Sequence, residues 1–210
     1  RDEIFLTTKV WFDSFEPAQL NSSVESSLKK LRTDYVDLLL LHWPVFENSM
    51  EPTLEALLKQ KEKGRARAVG VSNFTLAQLE KANQITGQQL VTNQVEYHPF
   101  LDQSKMLNRL GQNNMALTAY SPLARGKIFK EEVLSRIARE RGVDEAQITV
   151  AWLLGQPGVV AIPKSSSMEH ALSNLNGAEL ELSSEERDAI DKLGSAEGRL
   201  IDPSFAPDWD

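Results

Sequence analysis

The chain has 210 residues, 41% of them hydrophobic, and a formal net charge of −7 at pH 7. This length suffices for one domain with a sizeable core, and the acidic balance argues against nucleic acid or an anionic membrane as the main partner. There is no cysteine, and the three histidines come from different segments. A disulfide framework, a thiolate nucleophile and a zinc site with recognisable ligand spacing are therefore excluded.

Six apolar, β-rich runs follow one another, and each has polar residues at or near its carboxyl end. The clearest run contains the four consecutive leucines 38–41 and stops at His42, Trp43 and Pro44. An uninterrupted apolar run is typical of a strand buried on both faces of a parallel sheet. In chain order, the runs are 4–11, 35–44, 68–73, 91–97, 116–122 and 159–165.

Amphipathic helices are predicted between the runs. Leu20, Val24, Leu28 and Leu31 recur at helical spacing, and Thr75 with Gln78 forms a capping-box signal. The predicted helices are 17–32, 52–64, 75–87, 103–110, 131–141, 145–154, 168–174 and a last one that begins at Ser183.

Strand and helix thus alternate about every 30 residues, the length of one βα unit. Six such units predict a parallel sheet, either doubly wound or closed. A closed (β/α) barrel has eight strands and typically about 250 residues. Because the chain opens on a strand without a start methionine, we expect a single α/β domain over 1–210. It would be a (β/α)8 TIM-type barrel in which about six of the eight units are present and the N-terminal quarter is missing.

The ends of the six runs resemble the aldo-keto reductases, NAD(P)H-dependent (β/α)8 barrels that reduce aldehydes and ketones. Residues 199–203 and 206–210 are further similar to the ending of the bacterial 2,5-diketogluconate reductases of this family, which also act on methylglyoxal. The other motifs are Thr8-Lys9, Leu41-His42-Trp43-Pro44, Gly70-Val71-Ser72-Asn73-Phe74, Asn93-Gln94-Val95-Glu96-Tyr97-His98-Pro99, Tyr120-Ser121-Pro122-Leu123 and Ile162-Pro163-Lys164-Ser165.

The resemblance implies catalytic roles at two strand ends. Lys9 matches the lysine that lowers the pKa of a catalytic tyrosine, since a neighbouring ammonium favours the phenolate. His42 matches the histidine that hydrogen-bonds the substrate carbonyl and orients it for hydride attack. Trp43 is expected to line the substrate pocket, as is Trp11.

The resemblance also implies how NADPH is held. Ser72, Asn73 and Gln94 match residues that bind the nicotinamide carboxamide, and Tyr120 matches the ring that stacks on the nicotinamide.

The phosphate and adenine contacts follow from the later motifs. Ser121 and Leu123 match positions that contact the pyrophosphate. Lys164 and Ser165 match a clamp for the 2′-phosphate, where an ammonium and a hydroxyl meet a dianion. Asn174 matches an adenine contact.

Two features depart from the family pattern. His170 stands where an arginine is usual, and a mostly neutral imidazole is the poorer phosphate partner. Ser173 replaces a glutamate near the adenine. The expected cofactor is therefore NADPH with a modest preference, and NADH remains possible. The family's catalytic aspartate and tyrosine belong to the first two units, which this sequence lacks, so the 210-residue chain alone is expected to be inactive.

Simpler structural interpretations exist for single residues. Lys9 is also compatible with a solvated lysine at a strand end, and Gln94 with hydrogen bonding inside a barrel. Ser72 and Asn73 are also compatible with capping the next helix, and Tyr120 with a core position.

We interpret the sequence as an NADPH-dependent reductase of small aldehydes and ketones. It is expected to be monomeric and cytoplasmic, with no metal and with no nucleic-acid or membrane partner. One alternative is a reductase-like barrel that binds NADP(H) as a sensor or scaffold. Another is an isomerase or lyase that uses Lys9 for Schiff-base chemistry, but this leaves the nicotinamide-binding set unexplained.

Overall fold

A computed structural model describes residues 1–46 and 49–210 of the chain. They form two compact units, one made of residues 1–94, 112–115 and 203–210 and the other of residues 95–111 and 116–202. The strands are β1 (Thr7–Val10), β2 (Val36–Leu41), β3 (Ala66–Ser72), β4 (Leu90–Glu96), β5 (Ala116–Tyr120) and β6 (Val159–Ala161). The helices are α1 (Pro17–Leu31), α2 (Met50–Glu62), α3 (Leu76–Thr86), α4 (Ser104–Gln112), α5 (Glu132–Arg141), α6 (Glu145–Leu154), α7 (Met168–Gly177) and α8 (Ser184–Asp191).

Within each unit the strands lie in chain order in a parallel sheet. In the first unit, β1 pairs with β2, β2 with β3 and β3 with β4, all in parallel. In the second unit, β5 pairs with β6, also in parallel. All six predicted strands are present, which confirms the α/β class and the succession of parallel βα units.

In the first unit the core lies along β2, every residue of which is buried. Helix α1 covers the sheet with Leu20, Val24 and Leu28, as its periodicity predicts. Leu31 was predicted to face the core as well and is instead 41% exposed, because the helix ends there and the chain turns through Arg32 at φ 55°.

Gly70 on β3 allows its neighbours to approach closely. A Cβ atom at this position would lie 2.7 Å from the Thr92 carbonyl oxygen and 2.8 Å from the Leu40 side chain. Such contacts are far shorter than van der Waals distances, so only glycine fits between β2 and β4 here.

Most helix boundaries agree with their local signals. Thr75 and Gln78 form the predicted capping box, and Gly87 ends α3 at φ 60°. Helix α2 begins before Pro52, because the Ser49 side chain accepts the N–H of Glu51 and caps it.

Helix α7 is longer than the predicted 168–174. It continues to Gly177, where a Cβ atom would lie 2.9 Å from the Gln147 backbone of α6. The end of α7 therefore packs directly against α6, and this contact supports the extra turn.

A buried carboxylate organises the second unit. Glu96 is fully buried and accepts the N–H groups of Leu200 at 2.9 Å and of Ile201 at 3.0 Å. Nε2 of His98, which is also fully buried, lies 3.0 Å from Glu96. Burial alone would raise the pKa of Glu96, but these hydrogen bonds outweigh it and lower the pKa. Its burial and this contact give His98 a structural role, and Glu96 was not singled out from the sequence.

Candidate active site

The carboxyl ends of β1 to β4 bring four predicted site residues together in the first unit. Lys9 lies near the end of β1, His42 directly follows β2, Ser72 ends β3 and Gln94 lies on β4. The Lys9 ammonium donates to Oε1 of Gln94 at 2.6 Å. Burial lowers the pKa of Lys9, so this lysine is not a freely solvated one and that simpler interpretation is wrong.

The imidazole of His42 lies beside two indole rings. Its centroid is 4.9 Å from that of Trp11, edge to face, and 6.4 Å from that of Trp43, nearly parallel. Burial, and secondarily the charge of Lys9, lower the pKa of His42 to about 4. The imidazole is therefore neutral at pH 7 and offers one N–H donor and one acceptor nitrogen.

Ser72, Asn73 and Gln94 form one hydrogen-bonded network. The backbone carbonyl oxygen of Gln94 accepts one hydrogen bond from the Ser72 hydroxyl at 2.8 Å and another from the backbone N–H of Asn73 at 2.9 Å. Asn73 lies at φ 63°, a left-handed conformation that asparagine tolerates better than most residues. Its amide nitrogen donates to the His42 carbonyl at 3.0 Å, so the network also fixes the chain next to the imidazole.

Ser72 and Asn73 do not cap helix α3, because Thr75 occupies that position. That simpler interpretation is wrong. Gln94 has its amide oxygen occupied by Lys9, while its amide nitrogen has no partner within residues 1–46 and 49–210. The network therefore presents an oriented amide donor.

An aromatic wall adjoins His42 in the first unit. We define it as Trp11, Phe12, Trp43, Phe205 and Trp209. The Phe205 ring lies 5.8 Å from Trp11, 5.1 Å from Phe12 and 5.3 Å from Trp43, and Trp209 lies 6.2 Å from Trp43. Trp43 is only 5% exposed, whereas Trp11 is 39% exposed, so Trp11 presents much more accessible indole surface than Trp43.

Sequence reasoning missed Phe12 and Phe205 as neighbours of the site. Phe205 lies in an irregular segment about 160 residues after Trp43, and no periodic pattern connects the two. The only local signal was that a proline lies two residues before Phe205 and another two residues after it. Asn93, which shares a motif with Gln94, instead binds the Phe74 backbone through its amide nitrogen at 2.9 Å.

In the second unit, the predicted ring and pyrophosphate contacts lie together at the end of β5. Tyr120 is the last residue of β5, and Ser121 and Leu123 follow it. Burial, and then the charge of Glu96, raise the pKa of Tyr120. Ser121 lies at φ 49° and Arg125 at φ 52°, and such uncommon conformations are often concentrated at ligand sites.

The predicted clamp and adenine contacts surround the start of α7. Lys164 is exposed and has no carboxylate partner among the described residues. The Ser165 hydroxyl donates to the Ser167 carbonyl at 2.7 Å. His170 is exposed in the first turn of α7 and Asn174 is half-buried one turn later.

The described residues contain no group of three or more His, Asp or Glu side chains placed to hold a metal ion. No helix within the described ranges is long and apolar enough to cross a membrane.

Comparison with known proteins gives matches over nearly the whole chain. The sequence profile of the Aldo/keto reductase family matches residues 1–195. A methylglyoxal reductase of Escherichia coli O157:H7 is 41% identical over 100% of this chain and 79% of its own length.

Solved structures agree with this match. A putative 2,5-diketo-D-gluconic acid reductase B superposes with a TM-score of 0.97 at 39% identity, covering 100% of this chain and 75% of that one. An aldo/keto reductase from Klebsiella pneumoniae in complex with NADP and acetate gives a TM-score of 0.86 at 34% identity, covering 92% of this chain and 71% of that one.

Proposed function

Because this chain belongs to the aldo/keto reductase family, we propose that the native protein reduces small dicarbonyl compounds, with methylglyoxal as the representative substrate. Members of the family reduce carbonyl groups with NADPH, and a solved relative holds NADP. The substrate class is supported by the similar methylglyoxal reductase and by the similar diketogluconic acid reductase.

The residues present fit a nicotinamide cofactor. Gln94 offers an oriented amide nitrogen because Lys9 fixes its amide oxygen at 2.6 Å, and this donor suits a carboxamide oxygen. When bound, NADPH supplies the hydride that is added to the carbonyl carbon.

The 2′-phosphate end of the cofactor is assigned to Lys164 and Ser165. The exposed ammonium of Lys164 has no carboxylate partner among the described residues, so a phosphate dianion does not have to displace an existing ion pair. We assign Tyr120 to stacking, Ser121 and Leu123 to the pyrophosphate, and His170 and Asn174 to the adenine side.

The single observation that carries the proposal is the neutral imidazole of His42 beside two indole rings. A neutral ring donates one N–H to a carbonyl oxygen without transferring its proton, and the low pKa of about 4 preserves that state across the physiological range. This donor orients the carbonyl and stabilises negative charge that develops on its oxygen.

We assign to Lys9 the role of lowering the pKa of the acid that protonates this oxygen. The chain has three tyrosines, and the two for which a pKa shift is resolved are poor acids, because burial raises the pKa of both Tyr97 and Tyr120. A general acid near neutral pH requires the opposite shift. We therefore assign neither phenol to proton donation.

The aromatic wall supports a small substrate. Trp43 is covered by Phe205 and Trp209, so the contact surface next to the His42 ring comes mainly from the more exposed Trp11. We expect a compact dicarbonyl to need no more than this surface and the hydrogen bond from His42.

The test is NADPH oxidation by the native protein with methylglyoxal, compared with His42→Ala. We expect kcat/KM to fall by roughly 10²–10³-fold, the usual effect of removing a donor to a developing oxyanion. The Kd for NADPH should stay unchanged, because the proposed cofactor contacts do not include the His42 ring. Full activity of His42→Ala would contradict the assignment.

The same assay separates turnover from the alternative of a cofactor-binding scaffold. NADPH binding without oxidation of NADPH by any of methylglyoxal, diketogluconate or simple aldehydes would favour the scaffold.

A further inference from the structure

A concavity in the second unit contains none of the residues assigned to chemistry or cofactor binding above. It has a volume of about 270 Å³. Its polar and aromatic lining residues are Tyr97, Asp102, Ser104, Trp152, Gln156 and Asp191. We call it the Tyr97 cavity.

The two loops around the Tyr97 cavity are joined by backbone hydrogen bonds. The Asp102 N–H donates to the Ser195 carbonyl at 3.1 Å, and the Ser195 N–H donates to the Phe100 carbonyl at 3.1 Å. Gly194 packs beside Asp102, since a Cβ atom there would be in ordinary van der Waals contact with the Asp102 nitrogen at 3.6 Å. The cavity wall is therefore a fixed part of this unit.

Two carboxylates give the Tyr97 cavity a negative character. Asp191 accepts the indole N–H of Trp152 at 2.7 Å, and Asp102 accepts the N–H of Ser104 at 2.8 Å. Neither carboxylate has an ion pair with a described residue, and the lining contains no lysine or arginine.

The dipoles of two of the three neighbouring helices also add negative character to the Tyr97 cavity. Asp191 is the last residue of α8, and Gln156 follows the end of α6 by two residues. Carboxyl ends of helices carry partial negative charge and favour cations. The amino end of α4 also lies here and carries partial positive charge. Asp102 accepts the first N–H of this helix, that of Ser104, and offsets the positive charge.

Tyr97 gives a second, independent sign of a ligand. Tyr97 is only 4% exposed, and the centroid of its ring lies 5.2 Å from the centroid of the Trp152 ring. The hydroxyl has no hydrogen-bond partner among the described residues, although it lines the cavity. Burial, followed by the charges of Asp191 and Asp102, raises the pKa of Tyr97, so the phenol stays protonated. Because the hydroxyl faces the cavity, it is available to a polar ligand atom both as a donor and as an acceptor.

We infer that the Tyr97 cavity binds a small organic cation, a primary ammonium on a short apolar or aromatic body. The ammonium pairs with the carboxylates of Asp191 and Asp102 and meets the Tyr97 hydroxyl, and the body packs on Trp152. A metal ion fits less well, because the described residues offer no cluster of three or more charged or imidazole ligands.

The test uses benzylamine as the probe and the indole N–H resonance of Trp152 as the readout, assigned with Trp152→Phe. We expect a saturable shift with benzylamine. Benzyl alcohol, which has the same shape without the charge, should bind at least about threefold more weakly, as should phenylacetate, because the interaction depends on a partly exposed charge pair.

Asp191→Asn keeps an acceptor for the Trp152 indole and removes the charge, so benzylamine affinity should fall about threefold or more. Asp102→Asn keeps the cap of α4 and should lower benzylamine affinity by a similar factor. Tyr97→Phe tests whether the hydroxyl contributes to benzylamine affinity. Asp188→Asn, on the exposed face of the same helix, is the matched control and should bind normally. Equal binding of benzylamine and benzyl alcohol, no saturable shift, or unchanged affinity in both Asp191→Asn and Asp102→Asn would overturn the inference.

Discussion

The chemistry of His42 is decided mainly by burial. The charge of Lys9 adds to the effect, but burial is the larger cause of the fall in pKa from 6.5 to about 4. An imidazole in water would be partly protonated at pH 6, whereas this one remains neutral.

We therefore predict that His42 in the folded protein titrates near pH 4 in NMR spectra of the imidazole. Lys9→Met should raise its pKa only part of the way towards 6.5, because burial remains. Between these two pKa values the His42 imidazole is protonated in the unfolded chain but neutral in the folded protein. The free energy of unfolding should therefore decline as pH falls from about 6.5 to about 4. A pKa above 6 in the unmodified protein would contradict this account.

Cofactor preference depends on Lys164 and on the histidine at position 170. Lys164→Ala removes the unpaired ammonium from the proposed clamp, so the kcat/KM ratio of NADPH to NADH should fall about tenfold. His170→Arg should raise the ratio, because a guanidinium pairs better with a phosphate. Lys192→Ala, on an exposed lysine that follows α8, is the control. An unchanged ratio in both variants would mean that the 2′-phosphate binds elsewhere.

At the scale of elements, strand β4 shows how one residue stabilises a distant segment. Glu96 at the end of β4 holds the N–H groups of Leu200 and Ile201, more than 100 positions later. A carboxylate satisfies both N–H donors and His98 together, which an amide side chain cannot do because one of its two polar ends is a donor.

Glu96→Gln is therefore expected to lower the free energy of unfolding by roughly 2–4 kcal/mol, the cost of disrupting a buried charged hydrogen-bond network. Urea unfolding measures the change, and Glu179→Gln on the exposed surface is the matched control. The lowered pKa of Glu96 means that its contribution is present above the ordinary carboxyl range. The contribution is lost as pH falls below that range. An equal effect in both variants would show that the network adds no stability.

At the scale of the whole molecule, helix α7 exposes an apolar face. Met168 is 76% exposed, Leu172 is 51% exposed and Leu175 is 63% exposed, and the three recur at helical spacing. Contiguous apolar surface of this kind promotes association.

We predict that Leu172→Gln combined with Leu175→Lys increases solubility and reduces binding of a hydrophobic dye, with little change in Tm. Leu134→Gln, on a fully buried leucine of α5, should lower Tm strongly and serves as the contrast. A large drop in Tm for the α7 double variant would show that these leucines are covered in solution. The expectations of one catalytic domain, of a monomer and of a cytoplasmic location stay predictions.

The sequence by itself determined the order and type of the elements and several predicted site positions. Strand and helix periodicity, the Thr75 capping box and the polar ends of the strands are local features, so they can be recognised from neighbouring residues alone. The same applies to Lys9, His42, Ser72 and Gln94, because parallel strands in chain order bring their carboxyl ends to one edge of the sheet.

Only the tertiary structure decided the features that depend on distant contacts. It placed Phe205 on the aromatic wall, bound Glu96 to residues 200 and 201, exposed Leu31 and extended α7 to Gly177. It also set the pKa of His42 and left the Tyr97 hydroxyl facing a cavity without a described partner. Burial, ion pairing and cavity shape are sums over side chains far apart in the chain, so no local pattern encodes them.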